Sequence, residues 1–284
     1  MQRKKPLLQK LTHSDFETIV LQVTTKCPYN CPQCYTKRGD QDMPIDVAKR
    51  IVDEAVHLGA KAIQITGGEP LVYPYVFELI EYASIAGLNS LLATSGYNCS
   101  DETYSRLSFA GLTALCISVN GISEVVNRKS RVPFEEALYA IKIAQSYDFL
   151  RFLNVVITDD NIDELNVLGE YAKKQGISGV NVLRPVSSYD NKYKPCLSTD
   201  TLKKLEEIIS KSPSFFNVEN CHREYWEYVT TNKFFCRDVG QTTYFFNVNG
   251  TVSPCSKMTK YKYHSLSEMF SQYRDWGSGC YDTK

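Results

Sequence analysis

Three cysteines at CxxxCxxC spacing, in Cys27-Pro-Tyr-Asn-Cys31-Pro-Gln-Cys34-Tyr35, constrain this chain more than any other feature. They directly follow an apolar stretch, Thr18-Ile-Val-Leu-Gln-Val23, that reads as a strand. Thiolates are soft ligands for iron and zinc, and closely spaced cysteines are the usual ligands of iron–sulfur clusters. Three ligands in one tight loop leave the fourth metal of a cubane open to something that is not protein. A closed structural zinc site needs four protein ligands, and His13 and His57 fall in other expected elements. A zinc knuckle or a group of buried thiols is the alternative to a cluster.

The 284 residues suffice for a sizeable core, as one large domain or a domain with an appendage. Lysine plus arginine equals aspartate plus glutamate at 32 each, so the formal net charge is zero. That balance argues against a dedicated nucleic-acid binder, whose footprint is basic. The start, Met1-Gln-Arg-Lys-Lys-Pro6, reads as a solvated basic end, and no apolar run follows it as in a signal peptide. No apolar run reaches the ~18–20 residues that span a membrane. Ten cysteines without an export signal are expected to be metal ligands and buried thiols in a reducing cytoplasm.

Strand-like and helix-like segments alternate along the chain. Residues 44–58 carry Ile45, Ala48, Ile51, Val52, Ala55 and Val56 at helical spacing, and Gly59 stops them. The short strand 62–65 then leads into Thr66-Gly67-Gly68-Glu69-Pro70. Helices over 75–86, 101–109 and from just after Pro133 alternate with strands over 90–94, 114–119 and 152–158. Asn161-Ile-Asp-Glu164 has the pattern of a capping box ahead of another helix. A sixth strand, 180–183, ends at Arg184-Pro185. Six strands each followed by a helix argue for parallel βαβ units in a curved, barrel-like sheet, with ligands at the C-terminal strand ends. Residues 185–199 read as a polar linker, followed by a helix over 199–211. Asn249-Gly250 between two apolar runs, 243–248 and 251–255, signals a β-hairpin.

CxxxCxxC followed by an aromatic residue, here Tyr35, resembles the radical S-adenosylmethionine (SAM) enzyme family. Gly67-Gly68-Glu69-Pro70, one βα unit later, is similar to the turn that binds the SAM amino group there. The resemblance implies an α/β fold, a partial (β/α)6 TIM barrel over residues 15–190. It implies a [4Fe-4S] cluster on Cys27, Cys31 and Cys34 whose open iron is chelated by SAM, and reductive cleavage of SAM to a 5′-deoxyadenosyl radical that abstracts a substrate hydrogen. It further implies a flavodoxin- or ferredoxin-type reductant. Ser118 matches the residue that meets the SAM ribose or carboxylate, and Arg131 the arginine that pairs with the carboxylate, with Arg128 and Lys129 close by. Thr94 and Ser95 could also face SAM.

The second constellation lies beyond residue 190. Cys236, thirteen residues, Gly250, four residues and Cys255 resemble the opening of SPASM and twitch extensions, which carry auxiliary iron–sulfur clusters. Over 191–284 this implies a small twitch-like domain with one auxiliary cluster, ligated by Cys236, Cys255 and Cys280. Its fourth ligand is either Cys221 or an open position. Cys116, inside an apolar strand, is expected in the core. Cys99 and Cys196 could approach the substrate, where a thiol can return a hydrogen atom to a substrate radical, or they are ordinary cysteines.

Three functions fit these motifs. The first is modification of a ribosomal peptide, by epimerisation or oxidative cross-linking. The second is dehydrogenation or epimerisation of a carbinol in an aminoglycoside or sugar during antibiotic biosynthesis. The third is a non-catalytic iron–sulfur carrier or sensor, which would have no need of the complete Gly-Gly-Glu-Pro turn. The absence of a segment before residue 15 long enough to bind a peptide leader weighs mildly against the first.

Overall fold

The computed structural model describes residues 17–194, 197–218, 242–256, 258 and 261–272. Strand β1 (Thr18–Gln22) begins a series in which strands and helices alternate. It continues with α1 (Ile45–His57), β2 (Ala62–Thr66), α2 (Val76–Ile85), β3 (Asn89–Thr94), α3 (Asp101–Phe109) and β4 (Ala114–Ser118). Two helices, α4 (Glu124–Arg128) and α5 (Glu135–Ile143), precede β5 (Leu150–Val156), α6 (Ile162–Lys174) and β6 (Gly179–Leu183). Then come α7 (Thr199–Lys211), β7 (Phe216–Val218), β8 (Thr243–Phe246), β9 (Val252–Ser253) and α8 (Leu266–Ser271).

Local chemistry explains many of these boundaries. Ser100, Ser123, Ser198 and Ser265 accept backbone N–H bonds at the starts of α3, α4, α7 and α8, as side-chain oxygens do at helix N-termini. Gly87 and Gly111 follow α2 and α3 at φ of 86°, where a side chain would be strained. The capping box expected at Asn161 and Glu164 does not form. Asn161 makes no cap bond; its Nδ2 donates to the carbonyls of Asn120 and Val156, and its Oδ1 accepts from the Thr158 N–H. Glu164 instead reaches the loop after β4, where three donors outcompete its own helix end.

Among the described residues, nine strands form one sheet in the order β7-β6-β5-β4-β3-β2-β1-β8-β9. Every neighbouring pair from β7 to β8 is parallel. Strands β8 and β9, the expected hairpin, pair antiparallel. The six-stranded unit of the partial barrel is therefore present, and the sheet continues past both sides of it. On one side β7 follows β6; on the other β8 lies beside β1.

Alternation along the strands separates two faces. Ile19, Leu21, Ile63, Ile65, Leu92, Ile117, Val155, Val180 and Val182 are buried at 0–1% exposure. Fully burying such a side chain stabilises the fold by about 1.5–3 kcal/mol. The opposite face carries Thr18, Gln64, Ala93, Cys116, Asn154 and Asn181, and residues of all strands from β1 to β6 line a single cavity of about 850 Å³. The lining mixes these with apolar side chains, Val20, Leu91, Val156 and Leu183 among them, and the sheet curls around open space where a filled barrel would be packed with side chains.

Candidate active site

The cysteine loop leaves β1 and is bound at once to the turn after β2. Gly68 N donates to the Thr24 carbonyl at 2.7 Å and Glu69 N to the Lys26 carbonyl at 2.8 Å. The backbones approach so closely that a Cβ at Gly68 would sit 2.1 Å from the Lys26 carbonyl oxygen and 3.0 Å from Cys27 Cβ. A Cβ at Gly67 would lie 2.7 Å from the Thr24 carbonyl oxygen. Two adjacent glycines are thus required by the contact itself.

Glu69, 1% exposed, fastens this turn to the end of β3. One carboxylate oxygen accepts from Leu71 N at 3.1 Å and Thr94 Oγ1 at 2.8 Å. The other accepts from Ser95 N at 2.8 Å and from Ser95 Oγ. Burial raises the Glu69 pKa, and the donors from Ser95, Leu71 and Thr94 act against that rise. Four donors occupy the acceptor capacity of a carboxylate. Thr94 and Ser95, read from sequence as facing SAM, are therefore bonded to Glu69, although both also border the cavity.

A second knot holds the far side of the loop. Asn120 Nδ2 donates to Gln33 Oε1 at 2.8 Å and Ser130 Oγ at 2.7 Å, while its Oδ1 accepts from Val156 N at 3.0 Å. Gln33 N donates to the Ser130 carbonyl. Val132 N donates to Cys31 Sγ at 3.3 Å, the kind of surrounding bond that orients a ligating thiol. Tyr189 N, in the segment after β6, donates to the Cys34 carbonyl at 2.9 Å. Asn120, Gln33 and Tyr189 were not legible as site residues, because their partners lie on elements distant in sequence.

Cys27, Cys31, Cys34, Tyr35, Gly67, Gly68, Glu69, Ser118 and Arg131 all border the same cavity. Arg131 Nε is buried there with no hydrogen-bond partner among the described residues. Pro70 is buried at the start of a short 3-10 turn behind them. Burial raises the Cys27 pKa to about 11, aided by the nearby Glu69, Cys31 and Cys34 and opposed by a backbone bond at Tyr29; an iron ligand would reverse this by binding the thiolate. Among the described residues no three His, Cys, Asp or Glu side chains converge on one metal ion. Three thiols spaced around a cavity wall instead suit a multi-iron cluster, one iron to each, and the orphaned guanidinium nitrogen suits a carboxylate. The residues present fit the cluster and SAM.

The remaining cysteines separate. Cys116, expected in the core, is 4% exposed and borders the cavity floor. Cys99, 6% exposed, belongs to the apolar core and does not line the cavity. Cys255 lines the cavity from the β9 side. Cys196, Cys221, Cys236 and Cys280 lie outside the described residues. Among the described residues no helix is long and apolar enough to cross a membrane.

Comparison with known proteins agrees with this geometry. The chain is 30% identical over 171 residues to the AdoMet-dependent heme synthase of Methanosarcina barkeri, covering 58% of this chain and 49% of that one. It is 29% identical over 154 residues to the PqqA peptide cyclase of Bradyrhizobium diazoefficiens, covering 52% and 40%. The chain thus spans about half or less of the length of these curated relatives. SuiB of Streptococcus suis bound to S-adenosylmethionine superposes with a TM-score of 0.75 at 18% identity, over 98% of this chain and 70% of SuiB. Native anSMEcpe with bound AdoMet gives 0.67 at 16% identity, over 90% and 80%; at such identities the likeness is one of fold. A model of the radical SAM superfamily matches residues 21–172. That span is more than half of the chain and runs from the cysteine loop through the whole of the Glu69 and Asn120 knots, and the protein belongs to the radical SAM superfamily.

Proposed function

We propose that this radical SAM enzyme modifies a ribosomally made peptide. The single observation that carries the SAM reading is the interlocking of the three-cysteine loop with the Gly67–Gly68 turn on one cavity that also holds the orphaned Arg131 Nε. Cys27, Cys31 and Cys34 would hold a [4Fe-4S] cluster, and Arg131 the SAM carboxylate. The turn would receive the SAM amino group through its backbone, since the Glu69 carboxylate is occupied by four donors. When bound, the reduced cluster supplies the electron that cleaves SAM. The protein's part is to orient SAM by these contacts and to present the substrate carbon. A flavodoxin- or ferredoxin-type protein in the cytoplasm would deliver the electron.

Support for a peptide comes from the names of relatives: a PqqA peptide cyclase, and SuiB, whose fold is shared and which has been seen bound to precursor peptide SuiA. The heme synthase likeness supports a second, small-molecule reading of the same site. Cys255 on the cavity wall supports a twitch-like auxiliary cluster over 191–284, completed by Cys236, Cys280 and either Cys221 or an open position. Incubating reconstituted enzyme, SAM, dithionite and candidate peptides in deuterated water tests the reading. A peptide heavier by one deuterium marks epimerisation, and one short of two hydrogens marks oxidation. 5′-Deoxyadenosine formed with hydrogen drawn only from an aminocyclitol, sugar or porphyrin would remove the peptide.

A further inference from the structure

Three asparagines stand in register on the inner face of β5, β6 and β7: Asn154 pairs with Asn181, and Asn181 with Asn217. Their side chains form a directional chain across the strands. Asn217 Nδ2 donates to Asn181 Oδ1 at 3.1 Å, and Asn181 Nδ2 donates to Asn154 Oδ1 at 2.9 Å. Asn154 and Asn181 line the cavity, while Asn217 lies exposed at the edge strand. Amides inside a barrel are less favourable than leucines unless their hydrogen bonds are made.

The bonds already made limit what the wall offers. The Oδ1 atoms of Asn154 and Asn181 each accept one bond and keep a second lone pair, so the wall offers the cavity both N–H donors and carbonyl acceptors. Asn154 Nδ2 donates to no other described residue and is not among the fully buried polar atoms, so it faces cavity space. A peptide group holds one acceptor and one donor in a single plane, and two amides on neighbouring strands can meet both.

We propose that Asn154 and Asn181 form a substrate subsite that grips backbone amide groups of a peptide, with Asn217 holding the pair in orientation. The proposal rests on the peptide reading above and specifies where the peptide lies: on the β5–β6 wall, facing the cavity.

The test uses the reconstituted enzyme with SAM and a pool of capped hexapeptides, Ac-Gly-Gly-Xaa-Xaa-Gly-Gly-NH2, with methyl glucoside and 2-deoxystreptamine as separate probes. Retention by ultrafiltration and mass spectrometry is compared for wild type, Asn154→Leu and Asn181→Leu, with SAM retention as the measure of an intact site. Peptide retention at least fivefold lower in both variants, with SAM retention unchanged, is the expected result. Should a leucine variant fail to hold SAM, Asn154→Asp and Asn181→Asp, which keep the shape and replace donor by acceptor, give the same comparison. Equal peptide retention in wild type and variants overturns the subsite, as does no peptide retained by wild type, or retention of only the glycoside or cyclitol. Failure of wild type to cleave SAM with dithionite would instead overturn the enzyme reading, independently of these retentions.

Discussion

Gly68 shows how much one missing carbon can decide. Its α-carbon faces backbone of the cysteine loop, and backbone cannot swing aside as a flexible side chain can. Forcing a methyl into such a contact costs about 1–3 kcal/mol, released only by moving the loop. Gly68→Ala is therefore expected to retain its fold by circular dichroism yet lose most of its iron in a metal and sulfide assay. Cys116 makes a different demand. Burial pushes its thiol up to about 12 from 9.0, so the native chain keeps a proton that the unfolded chain gives up. Its contribution to stability is complete below pH 9.0 and is lost as pH rises toward about 12. Between about pH 8 and about pH 10.5 wild type should lose roughly 2 kcal/mol more than Cys116→Ala, read as the shift in urea midpoints.

Among elements, the loop from β4 to α5 carries the most responsibility for the least secondary structure. It holds Arg131, Val132 and the Asn120 knot, and it is pinned from outside by Glu164 of α6. That carboxylate accepts from Ile122 N at 2.8 Å, Ser123 N at 3.0 Å and Ser123 Oγ. Removing it in Glu164→Ala leaves two backbone donors without a partner and should destabilise the chain by about 2–4 kcal/mol. SAM affinity, measured by equilibrium dialysis, should fall with it because Arg131 is no longer held, whereas Glu164→Gln should recover part of both losses. The sequence pattern around Asn161 and Glu164 was legible as a helix start but not as this clasp. Spacing reports what residues three apart can do for each other, while the donors at 122 and 123 are brought in by folding. The same reasoning explains why α1, α3 and α7 were recognisable from their apolar periodicity and flanking signals. The five-residue α4 and six-residue α8 are too short to show a period.

For the molecule as a whole, the cavity brings Cys255 together with the three-cysteine loop, which the chain keeps far apart. Cys27, Cys31 and Cys34 border it from β1, and Cys255 from beyond β9. Replacing the first three together by Ala should leave about four irons per reconstituted chain if the auxiliary cluster forms; an iron-free triple variant would remove that cluster. The cysteine and Gly-Gly-Glu-Pro motifs were readable because each is compact and chemically unusual. The pairing of β8 with β1 was not, since the Asn249-Gly250 signal speaks only for the partner on the other side of its turn.

That parallel pairing also has a consequence for the order in which the protein can be made. Strand β1 emerges from the ribosome long before its outer neighbour, which begins only at Thr243. At synthesis rates of about 5–20 residues per second, β1 waits on the order of ten to forty seconds for β8. Through that interval one side of β1 is an unpaired edge, able to template pairing with another nascent chain. Sheets closed by such distant partners fold slowly. A chain interrupted before Thr243 would keep that edge open permanently, on the very strand that delivers the cysteine loop.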